Sequence, residues 1–166
     1  MTTSAVVVGN PKPQSRTLRA ATSVASQLVG KEPDLVVDLA TYGPAILDWS
    51  DQTIAELVKV VGAADFVVVA SPTYKGTMTG ILKSFLDRFE SRTGLRGVAV
   101  PVMLGASPTH ALASDLLLRP VLLELGAVVP NRGLFILEAS YDDPASYQSW
   151  LDVTRSVVAA LLGMDS

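Results

Sequence analysis

The chain of 166 residues predicts a doubly wound α/β fold built on a five-stranded parallel sheet. Two observations carry that expectation. Runs such as Ala5 to Val8 and Phe66 to Ala70 are apolar at every position, as in parallel strands covered by helices on both faces; a half-solvated sheet alternates instead. Between such runs lie longer segments whose apolar residues recur every three or four positions, the spacing of amphipathic helices. The length is near that of one domain, so 1–166 is expected to form a single unit.

The elements follow in order. Ser4 to Val8 is the first strand, and Gly9 to Thr17 the loop after it. Leu18, Ala21, Val24, Ala25, Leu28 and Val29 mark a helix that Gly30 ends. Leu35 to Leu39 is the second strand, running into the turn Tyr42-Gly43-Pro44. Caps at Asp48 to Asp51 precede Ile54, Leu57, Val58 and Val61, a helix that Gly62 closes. Phe66 to Ala70 is the third strand, and a helix is expected from about Thr79 to Glu90. Gly97 to Leu104 is the fourth strand; Pro101 has no N–H to give a ladder, which predicts imperfect pairing or a bulge there. Thr109 to Leu125 has helical spacing with Gly126 as its stop, and Pro120 inside it predicts a kink. Ala127 to Val129 and Leu134 to Leu137 supply a fifth strand split around Pro130-Asn131-Arg132-Gly133, and Ala145 to Leu162 a last helix. Five βα units fit the flavodoxin-like order 2-1-3-4-5, in which ligands bind outside the carboxyl ends of the strands.

Composition narrows the function. Charged residues make up 17% against about a quarter in typical domains, which implies apolar surface covered by a second subunit. A net charge of −3 gives no basic footprint for nucleic acid. No apolar run approaches the roughly 20 residues that span a bilayer. The start Met1-Thr2-Thr3 lacks the basic and apolar regions of a signal peptide, so a cytoplasmic chain is expected. The absence of cysteine excludes disulfides, thiolate nucleophiles and Cys-ligated metals. The one histidine, His110, makes a His-rich metal site or a Ser-His-Asp triad a poor fit.

The loop Gly9-Asn10-Pro11-Lys12-Pro13-Gln14-Ser15-Arg16-Thr17 joins a strand to a helix start, where backbone N–H groups lack partners and the helix dipole is positive. Asn, Ser and Thr add neutral hydrogen-bonding groups, and Lys12 and Arg16 add charge. The loop reads as an anion site, although it lacks both the G-x-G-x-x-G dinucleotide fingerprint and the Walker pattern. In a doubly wound sheet it converges with two more polar loops. One is Ser71-Pro72-Thr73-Tyr74-Lys75-Gly76-Thr77, with a flat aromatic, a cation and a close-approach glycine; the other is Gly105-Ala106-Ser107-Pro108-Thr109-His110.

These loops, with Gly80-Ile81-Leu82-Lys83-Ser84-Phe85-Leu86-Asp87 and Leu118-Arg119-Pro120-Val121-Leu122, resemble the NADPH-dependent FMN reductases over nearly the whole chain. The resemblance is greatest to the branch that feeds reduced flavin to sulfonate monooxygenases. It implies that Asn10, Lys12, Ser15, Arg16 and Thr17 hold the FMN phosphate. Pro72, Thr73, Tyr74, Lys75 and Gly76 would border the isoalloxazine ring, and Gly105 and Ser107 its pyrimidine side or the ribityl chain. Asn10 and Lys12 stand where the family usually has Ser and Arg, and Lys keeps the charge but gives up the bidentate fork. Some sulfonate-linked members insert a Tyr in the fourth helix, tied to a π-type bulge at the subunit interface; the matching position here is Leu116. The resemblance further implies NADPH or NADH as reductant, a homodimer or homotetramer, and a monooxygenase partner. No protein side chain is expected to do the chemistry, because the cofactor makes the bonds, and Asp87 and Arg88 read as helix-end structure. Lys75 and Arg16 are both candidates for the nucleotide's phosphates. The competing readings are a flavodoxin-type electron carrier, a quinone or azo reductase on the same scaffold, and a flavin-free binding domain.

Overall fold

In the computed structural model, which describes residues 2–164, five parallel strands form one sheet in the expected order β2-β1-β3-β4-β5. The strands are β1 (Ser4–Val8), β2 (Leu35–Asp38), β3 (Phe66–Pro72), β4 (Val98–Gly105) and β5 (Leu134–Leu137). The helices are α1 (Arg16–Val29), α2 (Gln52–Ala63), α3 (Gly80–Leu86), α4 (Arg119–Glu124) and α5 (Gln148–Leu162). The reason β1 is apolar throughout is visible in the two cores. Ala5 and Val7 pack toward Ile54, Leu82, Phe85 and Leu122 of α2, α3 and α4, whereas Val6 and Val8 pack toward Ala21, Val24 and Leu28 of α1 and Leu151 of α5. Both faces are dry, so neither can carry the polar half of an alternating pattern.

Several expected boundaries move. Helix α1 begins at Arg16, not Leu18, because the Ser15 side chain caps it by accepting from the Leu18 N–H at 3.2 Å. Gly62 lies inside α2 and does not close it: a side chain there would run into the Gly94 carbonyl oxygen, so the glycine serves a close approach of two segments. Strand β3 continues to Pro72 because Ser71 and Pro72 still pair with Met103 and Leu104. Helix α3 stops at Leu86, well short of Glu90. Past it the bonds Arg88 N–H to Phe85 O and Phe89 N–H to Leu86 O are of the tighter three-residue kind.

Pro101 causes no bulge. It sits in continuous register opposite Val69 in the centre of the sheet. The Ala99 N–H reaches toward Val128, and backbone groups alternate sides along a strand, so the position of the missing Pro101 N–H also faces that edge. There it meets the gap between Val128 and Leu134, where β5 begins opposite Val102. The split in the last strand is what tolerates the proline.

The expected fourth helix over Thr109 to Leu125 is instead three pieces: a 3-10 turn Pro108–His110, a π-helix Ser114–Leu118 and α4. The Arg119 N–H donates to the Ser114 carbonyl, five residues back. Pro120 offers no N–H, and in a regular α-helix its ring would press on the Leu116 carbonyl; the wider π turn directly precedes it. The π segment thus forms here with Leu116 at its centre. The final helix also starts late, with Pro144–Tyr147 as a 3-10 turn before α5.

The carboxylates with lowered pKa at the amino ends of the strands are structural. Asp65 accepts from the Thr3 backbone N–H and hydroxyl. Asp34 accepts from Lys31 Nζ at 2.9 Å and from the Ser4 N–H and hydroxyl, which bring its pKa from 3.8 to about 2. A depressed folded-state pKa stabilises above the unfolded value and is lost as pH falls through the folded one. Asp34→Asn is therefore expected to lower the melting temperature at neutral pH and to lose that deficit between about pH 4 and 2, as read by thermal melts across pH.

Candidate functional site

The carboxyl ends of β1, β3 and β4 carry the three polar loops, and backbone bonds draw them together. The Gly9 N–H donates to the Ala70 carbonyl at 2.9 Å, and the Thr79 hydroxyl donates to the Gly9 carbonyl. Thr79 also caps α3, so one side chain fixes both the first loop and the helix that leaves the second. Ser71, fully buried, accepts from the Thr79 N–H at 3.0 Å. The second and third loops meet through the Thr73 N–H and the Leu104 carbonyl at 2.6 Å, and through the His110 ring lying against Gly76. Ser71 and His110 lie in the expected loops without an assigned role, and Thr79 lies just outside them. The Thr before an apolar helical run is the cap signature by which Thr79 was legible.

In the first loop Asn10 is buried and shapes the backbone. Its Oδ1 accepts from the Lys12 N–H at 2.9 Å, and its Nδ2 donates to the Thr17 hydroxyl at 3.1 Å. Gln14, with φ at +51°, gives its N–H to Asp38 at the end of β2 at 2.9 Å. The loop is thereby tied at both ends while Lys12 stands exposed. Among the described residues nothing accepts from the N–H groups of Arg16 and Thr17, the first two of α1. Two outward N–H groups, the Ser15 and Thr17 hydroxyls and the Lys12 ammonium make a donor set that suits a phosphate. The Arg16 side chain leaves this group: its guanidinium lies 5.7 Å from the Tyr141 ring centre and 4.0 Å from Glu138.

In the second loop Pro72 ends β3, and Tyr74 and Thr77 exchange backbone bonds of 2.9 and 3.2 Å across a tight turn. Lys75 and Gly76 are its central residues, both left-handed at φ +52° and +83°, the pattern of a type I′ turn. The turn lifts Tyr74 and Lys75 to the surface, with Tyr74 47% exposed. The Thr73 hydroxyl is buried without a partner, next to Gly105 at the end of β4. A side chain on Gly105 would stand 2.7 Å from the Phe135 ring, so bare backbone is required there. Ser107 caps the following 3-10 turn, its hydroxyl 2.8 Å from that of Thr109. All twelve expected site residues lie on the three loops or the helix start, and the Arg16 side chain lies against Tyr141 and Glu138.

The three loops lie side by side at the carboxyl ends of the strands. A separate concavity lies beside α2, lined by Trp49, Val58, Lys59, Arg88 and Arg96. Of its cations Arg88 is committed: it donates to the carbonyls of Asp48, Trp49 and Asp51 and stands 5.6 Å from the Trp49 ring centre. That arginine holds the chain between β2 and α2, which agrees with a structural reading of Arg88.

Fold and site define a flavodoxin-like α/β protein with a polar strand-to-helix loop at the point where the strand order reverses. Residues 2–142 match the family described as NADPH-dependent FMN reductase, and the chain belongs to that family. It is 36% identical over 77 residues to an NADPH-dependent FMN reductase of Pseudomonas putida, covering 46% of this chain and 39% of that one. It is 33% identical over 89 residues to the NADH-dependent FMN reductase SfnF of Pseudomonas fluorescens, covering 54% of this chain and 47% of that one. The chain thus aligns with half or less of these relatives' lengths. Its fold superimposes with a TM-score of 0.83 on an NADH:FMN oxidoreductase solved in the apo form, at 27% identity, over all of this chain and 91% of that one.

Proposed function

We propose that this protein is an NAD(P)H-dependent FMN reductase. The observation that carries the reading is the convergence of a helix start with free N–H groups and two glycine-bearing loops at the carboxyl ends of the strands. The Arg16 and Thr17 N–H groups, the Ser15 and Thr17 hydroxyls and the Lys12 ammonium hold the FMN phosphate. Pro72, Thr73, Tyr74, Lys75 and Gly76 border the flavin ring, and Gly105 and Ser107 lie at its pyrimidine side or the ribityl chain. Bound FMN would supply the hydride acceptor, which a chain without cysteine and with one histidine does not provide. The protein's part is to fix the phosphate, border the ring and leave its outer side open to the nicotinamide.

Lys75, raised on its turn, meets the dinucleotide's phosphates at the crevice mouth. Free FMN added to the protein with NADPH or NADH is expected to give catalytic nucleotide oxidation, followed by loss of nicotinamide absorbance. Lys75→Ala should raise the nucleotide KM by roughly three- to tenfold, the value of one partly exposed charged contact, with little change in kcat. Retention of reduced flavin with no turnover of either nucleotide would favour an electron carrier instead.

The same reading extends to assembly and partner. Leu112 just ahead of the π-helix, Leu116 and Leu117 in it and Leu123 in α4 are exposed, apolar surface that water tolerates poorly. They support a homodimer or homotetramer, and sedimentation showing only a 17.5 kDa species at micromolar concentration would count against it. A flavin-dependent monooxygenase as consumer of the reduced flavin follows from the same resemblance. Among the described residues no helix is long and apolar enough to cross a membrane.

A further inference from the structure

Two cations enter the first loop, and the fold separates them. Lys12 stands exposed on the loop, while Arg16 turns toward the segment after β5. There it joins Arg19, three residues on and so on the same face of α1. The two guanidiniums lie 5.7 and 4.8 Å from the centre of one ring, that of Tyr141. Tyr141 packs against the core shared by α1 and α5, so it is an anchored platform. A guanidinium lying over an aromatic face keeps its edge N–H donors free, and those edges are the part that matches a phosphate bidentately. Among the described residues no hydrogen bond uses a side-chain donor of Arg16 or Arg19, whereas Arg88 and Arg155 spend theirs on backbone carbonyls. Glu138 is the one carboxylate described within ion-pair distance of either, at 4.0 Å from Arg16.

We propose that Arg16, Arg19 and Tyr141 form the subsite for the adenosine 2′-phosphate of the reducing dinucleotide, and that Glu138 sets how strongly NADPH is preferred over NADH. The proposal rests on the reductase reading and assigns the Arg16 side chain to the nucleotide in place of the FMN phosphate. Two guanidiniums outweigh one carboxylate, so the site attracts a 2′-phosphate. Glu138 opposes that charge and offers an acceptor to a free 2′-hydroxyl, which moderates the preference.

The test measures fragments by calorimetry on FMN-saturated protein, so turnover is not needed: 2′,5′-ADP against 5′-AMP. The wild type is expected to bind 2′,5′-ADP more tightly. Arg16→Ala and Arg19→Ala should each cut that ratio by about tenfold, with Arg16→Lys in between because it keeps the charge and loses the fork. Glu138→Gln should raise the ratio several-fold. FMN affinity, from flavin fluorescence, should stay within about twofold in all four exposed-site variants. An unchanged ratio in both alanine variants, or no saturable binding of either fragment, overturns the subsite. So does an Arg16→Ala protein with much weaker FMN and an unaltered ratio, which returns Arg16 to the flavin phosphate. The two readings fail separately: fragment discrimination without nucleotide turnover sinks the reductase and leaves the subsite, and turnover with an unaltered ratio does the reverse.

Discussion

Gly9→Ala is expected to cost about 3 kcal/mol of stability and to disable the first loop in the same step. Gly9 follows β1 where the backbone turns into the anion loop, and it lies against α3. A methyl group there would stand 2.9 Å from the Leu82 Cα and closer still to its Cβ. Leu82 is fully buried and belongs to the core beneath α3, so it has no free end to swing aside. Either α3 moves off the sheet or the loop is pushed outward. The second outcome breaks the Thr79 hydroxyl bond to the Gly9 carbonyl and the Gly9 N–H bond to Ala70. For a domain of this size 3 kcal/mol corresponds to a fall in Tm of roughly 6–12 °C. Gly80→Ala is the control. Nothing lies within 4 Å of a side chain at that first position of α3, and Ala relieves the entropy of a helical glycine, so stability should rise by about 0.5–1 kcal/mol. Equal destabilisation in both variants would show that loss of glycine as such, and not the approach to Leu82, is what matters.

Lys12→Ala should weaken FMN by about 1.5–3 kcal/mol, or roughly 10- to 150-fold in Kd, without unfolding the protein. Lys12 is exposed. It makes no described side-chain contact, and its N–H bond to Asn10 belongs to the backbone and survives the substitution. What is removed is the one ammonium on the loop that precedes α1. Riboflavin, which has no phosphate, should bind the wild type more weakly than FMN, and the gap should narrow in Lys12→Ala. Asn10→Ala should also weaken FMN but lower Tm as well, because Asn10 is buried and ties Lys12 to Thr17. If wild-type protein binds FMN and riboflavin alike, the phosphate is not in this loop.

Much of the architecture was legible because its causes are local. Continuous apolar runs announced strands buried on both faces, and helical spacing announced the elements between them. Five such units in a doubly wound sheet fit the observed order β2-β1-β3-β4-β5. The three loops fell together for the same reason, since the strand order alone places the ends of β1, β3 and β4 side by side. The features misread depend on neighbours far along the chain. Gly62 looked like a helix stop, yet its role is the approach of Gly94. Pro101 looked like a defect, yet its missing donor falls on a gap that only the placement of Val128 and Leu134 reveals.

Sequence by itself determined the fold class and the elements that fit the strand order, because periodicity and capping act over a few residues and need no partner. Tertiary structure alone decided that Gly9 must be bare against Leu82, that a π-helix precedes Pro120, and that Arg16 turns from the first loop to Tyr141 and Glu138. A long flexible side chain takes its direction from whichever aromatic faces and charges folding brings within a few ångströms, and in this chain those lie more than a hundred residues away.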